Sequence, residues 1–219
     1  MTNDQRPTIL VTNDDGVYSE GLKKLAGAHR SIGDVTIVAP DREQSASSHS
    51  LTLNRPLRIL HLEEGTWSVD GTPADCVNLA VQHIMKERRP DVVVSGINFG
   101  PNLGDDVTYS GTISAAFEGA ILGIPSVAYS ALIGENFSFD NSARFAAGYT
   151  KLFLSSNPAT DVVMNVNFPL GTPKGVRITH LGKRVYTEGV IERHDPRGRS
   201  YFWIGGESPV WEDVEGSDF

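Results

Sequence analysis

Short apolar blocks closed by turn-forming residues recur along the chain, at Ile9 to Val11, Val35 to Ala39, Asp91 to Ser95, Ser126 to Tyr129 and Val162 to Val166, and each reads as a buried strand. Between them the spacing becomes helical. Leu22, Leu25, Ala26 and His29 share one face, as do Val77, Ala80, Val81 and Ile84, and then Ile113, Ala116, Phe117, Ala120 and Ile121. Strands alternating with amphipathic helices predict βαβ units, hence an α/β fold: a Rossmann-like three-layer core around a mostly parallel sheet. Thr72 reads as an N-cap with Pro73 in the first helical position and Asp75 in the first turn. Leu57 to Leu62, the turn Glu63-Glu64-Gly65 and Trp67 to Val69 predict a hairpin inserted into the series. Beyond about Val176 the composition is that of strands without helical period, a β-rich extension in the second half.

Length and charge narrow the class. At 219 residues, 39% hydrophobic and 21% charged, the chain buries one substantial core, and a single domain over 1–219 is expected, with an α/β core to about 170 and a β-rich oligomerisation extension over about 171–219. A net charge of -8 argues against a grip on a nucleic-acid polymer, which draws its affinity from clustered Lys and Arg. Cys76 is the single cysteine, so no intramolecular disulfide forms, and its neighbours Val77, Ala80 and Val81 predict a packed thiol. No stretch has the composition of a signal or a membrane span, which leads us to expect a cytoplasmic protein with no membrane partner.

The chemistry starts where the first strand breaks, at Asn13-Asp14-Asp15-Gly16. Open α/β sheets place their sites at the carboxyl ends of strands, and two adjacent carboxylates there repel unless a cation lies between them or one is protonated. The pair therefore suggests a hard divalent metal; the plainer reading is a solvated turn. Later strands end in comparable loops. Gly96 to Asp106 is rich in Gly and Asn, and Asn98 can complete a metal site. Tyr109-Ser110-Gly111-Thr112 precedes a periodic helix, so hydroxyls and free N–H groups there form either a phosphate cradle or a helix cap. The loop Pro40 to His49 carries a cluster of hydroxyls, and His49 is the one histidine near these segments.

Taken together these stretches resemble the SurE family of metal-dependent 5′/3′-nucleotidases. The resemblance rests on the Asn13 to Gly16 turn, the Ala39 to Ser45 loop, Gly71 to Cys76, and the run from Ser95 to Gly119 that holds Ser-Gly-Ile-Asn, Gly-Pro-Asn-Leu-Gly-Asp-Asp and Tyr-Ser-Gly-Thr in order. It implies a phosphatase acting on nucleoside 5′- and 3′-monophosphates, with short polyphosphate as a further substrate. It also implies one divalent ion per subunit, Mg2+ or Mn2+ with Ca2+ able to occupy the site, held by Asp14, Asp15, Ser45 and Asn98. Asn13, Asn102, Ser110, Gly111 and Thr112 would then border the phosphate. Asp14 and Asp15 would be catalytic, as base, nucleophile or ligand. Family members generally continue past the position of Phe219 with a further strand, so the chain's last residue bears on assembly and leaves the site motifs intact.

Two readings compete with this one. A signalling receiver domain also carries an acidic pair after its first strand, but it needs a phosphoacceptor Asp after the third strand and a Lys after the fifth; here Gly96-Ile97-Asn98 and Ser126 to Ser130 supply neither. A nucleotide-binding protein without catalysis would show the same motifs. Apolar residues without a covering helix, Val185, Tyr186, Val190, Ile191, Tyr201, Phe202, Trp203 and Ile204, predict a homodimer or homotetramer joined through the second half.

Overall fold

The structure, a computed structural model, describes residues 6–135, 137–185, 189–204, 210–212 and 214–219. These fall into two compact units, one running to residue 175 without 103–107 and one made of 103–107 and 176–219. The first unit is built on a seven-stranded sheet: β1 (Thr8–Thr12), β2 (Asp34–Pro40), β3 (Ile59–Glu63), β4 (Thr66–Val69), β5 (Val92–Phe99), β6 (Ser126–Ala131) and β7 (Val163–Phe168), in the order β3-β4-β2-β1-β5-β6-β7. All neighbours are parallel except β3, which pairs antiparallel with β4 at one edge. The predicted hairpin is therefore present, and its second strand joins the main sheet beside β2.

Because successive side chains of a strand point to opposite faces, the apolar blocks divide between two helical layers. Ile9 and Val11 pack with Leu22, Leu25, Ala143 and Ala146, on the side of α1 (Glu20–His29) and α4 (Phe139–Ser155). Leu10, Val38 and Val93 pack on the other side with Cys76, Val77 and Ala115, from α2 (Pro73–Leu79) and α3 (Gly111–Ile121). The core is thus helix, sheet, helix. Thr72 caps α2 as expected, in a reciprocal pair: its hydroxyl accepts from Asp75 N at 3.1 Å and Asp75 Oδ2 accepts from Thr72 N at 2.9 Å. Past Leu79 the helix widens into a π turn closed by Met85 N donating to Ala80 O at 2.7 Å.

Two elements depart from the sequence pattern. Helix α4 goes unmarked in it because its buried stripe is Phe139, Ser142, Ala143, Ala146, Ala147 and Thr150, small residues with weak apolar contrast. Strand β5 continues through Gly96-Ile97-Asn98-Phe99, read above as loop, after a register shift against β6 between Ser95 and Asn98.

In the second unit, β8 (Arg184–Val185) pairs with β11 (Val210–Trp211), and β9 (Val190–His194) pairs with β10 (Ser200–Ile204), both antiparallel. The turn between β9 and β10 is closed by Arg199 Nε donating to Asp195 Oδ2 at 2.8 Å. Asp218 ties the unit's ends, accepting from Gly104 N at 2.9 Å and from Gly182 N at 2.6 Å. Tyr186 lies outside the described residues. No helix among the described residues is long and apolar enough to cross a membrane.

Candidate active site

Strand β1 lies between β2 and β5, so the connections leaving its neighbours diverge and a crevice opens at its carboxyl end. Asp14 and Asp15 stand there. The chain turns away at Gly16, with φ of +97°, where a Cβ would come within 3.1 Å of the Arg42 backbone. Asn13 braces this turn from inside, donating through Nδ2 to Gly16 O at 3.1 Å and to Ser19 Oγ at 2.7 Å. Two backbone bonds lace it to the loop after β2: Val17 N to Pro40 O and Gln44 N to Asp14 O, each 2.8 Å.

The first turn of α3 points at Asp14. Ser110 is its N-cap, accepting from Ile113 N at 3.1 Å, so one of the two hydroxyls expected at a phosphate is engaged in capping through its lone pair. The other, on Thr112, donates to Asp14 Oδ1, and the Thr112 backbone N–H also favours the ionised Asp14 carboxylate. Gly111 is glycine for a steric reason. A Cβ there would lie 2.7 Å from Asp14 Cβ, 2.9 Å from Asp14 Oδ2 and 3.0 Å from Ser47 Oγ.

Both carboxylates are hard to ionise. Burial is the main cause of a raised Asp14 pKa, opposed by Thr112, with the Glu43 charge adding to it. Burial first and the Asp14 charge second push Asp15 up to about 6, against the pull of a bond to the Phe99 backbone, and Glu43 raises it further. That bond sets Asp15 beside the end of β5, next to Asn98. Three acidic groups thus share one field at the crevice.

Of the other residues singled out above, Asn98 donates through Nδ2 to Gly100 O at 2.8 Å. Ser45 Oγ donates to Glu43 Oε1 at 2.6 Å, so the loop presents Ser45 together with a carboxylate. Asn102 sits in a separate polar network: its side chain donates to Ser130 Oγ at 2.7 Å, its N–H to Asn167 Oδ1 at 2.9 Å, and its carbonyl accepts from Asn165 and Asn167. The structure adds Glu43, Ser47, Thr12 and Ser95 to the neighbourhood. Thr12 and Ser95 are register partners across β1 and β5, and the buried oxygens Thr12 Oγ1, Ser95 Oγ, Asn13 Oδ1 and Ser47 Oγ have no hydrogen-bond partner. The two carboxylates, the Asn98 amide oxygen and the hydroxyls of the loop after β2 are all oxygen donors, the chemistry a hard divalent cation takes.

The profile of the family described as Survival protein SurE matches residues 9–188. The chain belongs to the SurE family. It is 50% identical over 211 residues to the 5'-nucleotidase SurE of Anaeromyxobacter sp. (strain Fw109-5), covering 96% of this chain and 83% of that one. The identity to the 5'-nucleotidase SurE of Geobacter sulfurreducens is also 50%, over 96% of this chain and 82% of that one. Among solved structures, the SurE protein from Aquifex aeolicus superposes with a TM-score of 0.85 at 46% identity, covering 97% of this chain and 87% of that chain. The mostly parallel α/β sheet is thus that of the family.

Proposed function

We propose that this SurE family member hydrolyses nucleoside monophosphates to nucleoside and phosphate at the crevice beyond β1, with a divalent cation held by Asp14, Asp15 and Asn98 and with Ser45 as a further ligand. The observation that carries the reading is a buried Asp14 and a half-buried Asp15 side by side at the switch point of the sheet, with the N-terminus of α3 aimed at Asp14. The 5'-nucleotidase names of relatives at 50% identity support the substrate class. When bound, the cation, Mg2+ or Mn2+, supplies positive charge that polarises a phosphoryl oxygen and acidifies a water.

The chain's own residues do the rest. Ser110, whose O–H remains free to donate, and the backbone N–H groups of the first turn of α3 hold the phosphate oxygens and stabilise the charge that develops on them. Asp14, held in place by Thr112 at Oδ1, would be a ligand of the cation. Asp15 is the less buried of the pair and accepts the proton of the attacking water. Asn13 keeps the turn in place, and Asn102 fixes the loop after β5 against β6 and β7.

The test is phosphate release from AMP and from 3′-AMP with added MgCl2 or MnCl2, against a chelated control. Release that depends on the metal and is abolished by chelation is expected; tight AMP binding with no release would make the chain a binder. Short polyphosphate is assayed in the same way as a third substrate.

We also propose that a second copy of the chain covers the β-rich unit, giving a homodimer or homotetramer. Ile178, Phe202, Trp203 and Ile204 are 95%, 61%, 64% and 93% exposed, and β10 presents apolar residues on both faces. Light scattering at micromolar concentration should give at least twice 23.7 kDa, the mass of one chain; a monomer mass overturns the assignment.

A further inference from the structure

A buried carboxylate that the catalytic reading leaves unused lies on α3, two turns past the cradle. Glu118 is 4% exposed, and its two oxygens take one donor each: Oε1 from Asn78 Nδ2 at 2.9 Å and Oε2 from His49 Nε2 at 2.9 Å. A buried charge of this kind costs more than it returns if its only task is to fill space, since an apolar residue fills the same volume without desolvation. Its effect here is directional. With Nε2 turned onto Glu118, Nδ1 is the ring nitrogen left to meet a ligand, without a protein partner among the described residues. The His49 side chain is 32% exposed and its ring stands 6.4 Å from that of Phe117.

The position of His49 follows from its loop. Ser47 Oγ lies where a Gly111 Cβ would meet it, and Ser48 is bonded to the segment before α3 twice, through N to Tyr109 O at 3.1 Å and through Oγ to Thr108 O at 2.9 Å. His49 therefore follows the cradle outward along α3. Glu118 is seven residues past Gly111, about 11 Å of helix, and helical side chains lean back toward the N-terminus, which shortens the gap. The nucleoside of a phosphomonoester whose phosphate lies at the cradle reaches across that distance. Ribose hydroxyls, which donate and accept, are the groups it presents there.

We propose that His49 is a substrate-binding residue for the nucleoside moiety, hydrogen-bonding it at Nδ1, and that Glu118 and Asn78 are the residues that position it. This rests on the phosphate reading given above and deepens it. The test separates nucleoside from phosphate. Binding of AMP and of inorganic phosphate to the metal-loaded protein is measured by calorimetry for wild type, His49→Leu and Glu118→Gln, beside phosphate release from AMP. His49→Leu should weaken AMP about tenfold, the worth of one good neutral hydrogen bond, and leave phosphate within about twofold. Glu118→Gln should shift the same ratio in the same direction by less. Because the ratio is taken on one preparation, it is independent of the folded fraction. Equal loss for both ligands, an unchanged AMP affinity in His49→Leu, or wild type that does not bind AMP overturns the inference. AMP binding that depends on His49 without phosphate release leaves it standing and overturns the hydrolytic reading instead.

Discussion

Two clusters of polar side chains are buried in the same α/β unit, and they differ in whether their hydrogen bonds are complete. Between α1, α4 and β6, His29 places Nδ1 2.8 Å from Leu25 O and Nε2 2.9 Å from Thr150 Oγ1, while Tyr129 OH reaches Thr150 Oγ1 at 2.8 Å and Ala146 O at 3.1 Å. Each polar atom there has a partner. At the end of β1, two carboxylates crowd each other beside oxygens with no partner at all. A closed network rigidifies a core, whereas an open one is kept at a cost in stability for a ligand the protein is to receive. Burial and polarity alone do not tell the two apart; completeness of bonding does.

The contrast breaks most visibly if the open cluster is dispensable. Asp14→Asn and Asp15→Asn should each lower kcat/KM for AMP a hundredfold or more, while the thermal midpoint of the metal-free protein stays level or rises as like charges are removed. Near wild-type turnover at saturating manganese in either variant removes the functional half of the comparison.

The closed cluster should answer to pH. Burial lowers the His29 pKa from 6.5 to about 4, so the neutral ring is the one the fold accepts. A depressed folded value means that the contribution is fully present above pH 6.5 and is lost as pH falls toward 4. The loss amounts to about 3 kcal/mol over that window. Urea titrations at either end of the window should show it as the difference between wild type and His29→Leu, because the raised Asp14 and Asp15 values act in the opposite direction in both proteins; equal slopes in the two would mean that the ring is not buried as a neutral partner.

A smaller effect sharpens the same line. Thr150→Val removes the hydroxyl that joins His29 to Tyr129 and should cost about 1–3 kcal/mol while the AMP rate stays within about twofold. A selective loss of activity in this variant would show that the two clusters are coupled.

The open cluster was partly legible in the chain. Asp14 and Asp15 stand out because they end an uninterrupted apolar strand, a local signal, and Gly111 and Thr112 because they begin a periodic helix. Glu43 and Ser47 carry no such mark. They lie in an aperiodic loop whose place is set by bonds to distant residues, Gln44 N to Asp14 O and Ser48 to Thr108 and Tyr109. Gly111 drew attention as an opening for phosphate, yet the atoms that exclude a Cβ belong to Asp14 and Ser47, a contact that only folding creates. The core was legible to the extent that its blocks were strongly apolar: β1, β2, β6 and β7 stand close to where the pattern puts them, and α4 was hidden by alanines.

The central place of β1 has a consequence for how the protein is made. Its partner on one side, β2, follows within a few dozen residues, but its partner on the other, β5, ends only at Phe99. A nascent chain emerging from the ribosome therefore carries Asp14 and Asp15 for most of its early life with no β5 to close the crevice and no α3 to meet them. Assembly of the crevice waits until the middle of synthesis, and a chain that ends before α3 lacks the helix that meets Asp14.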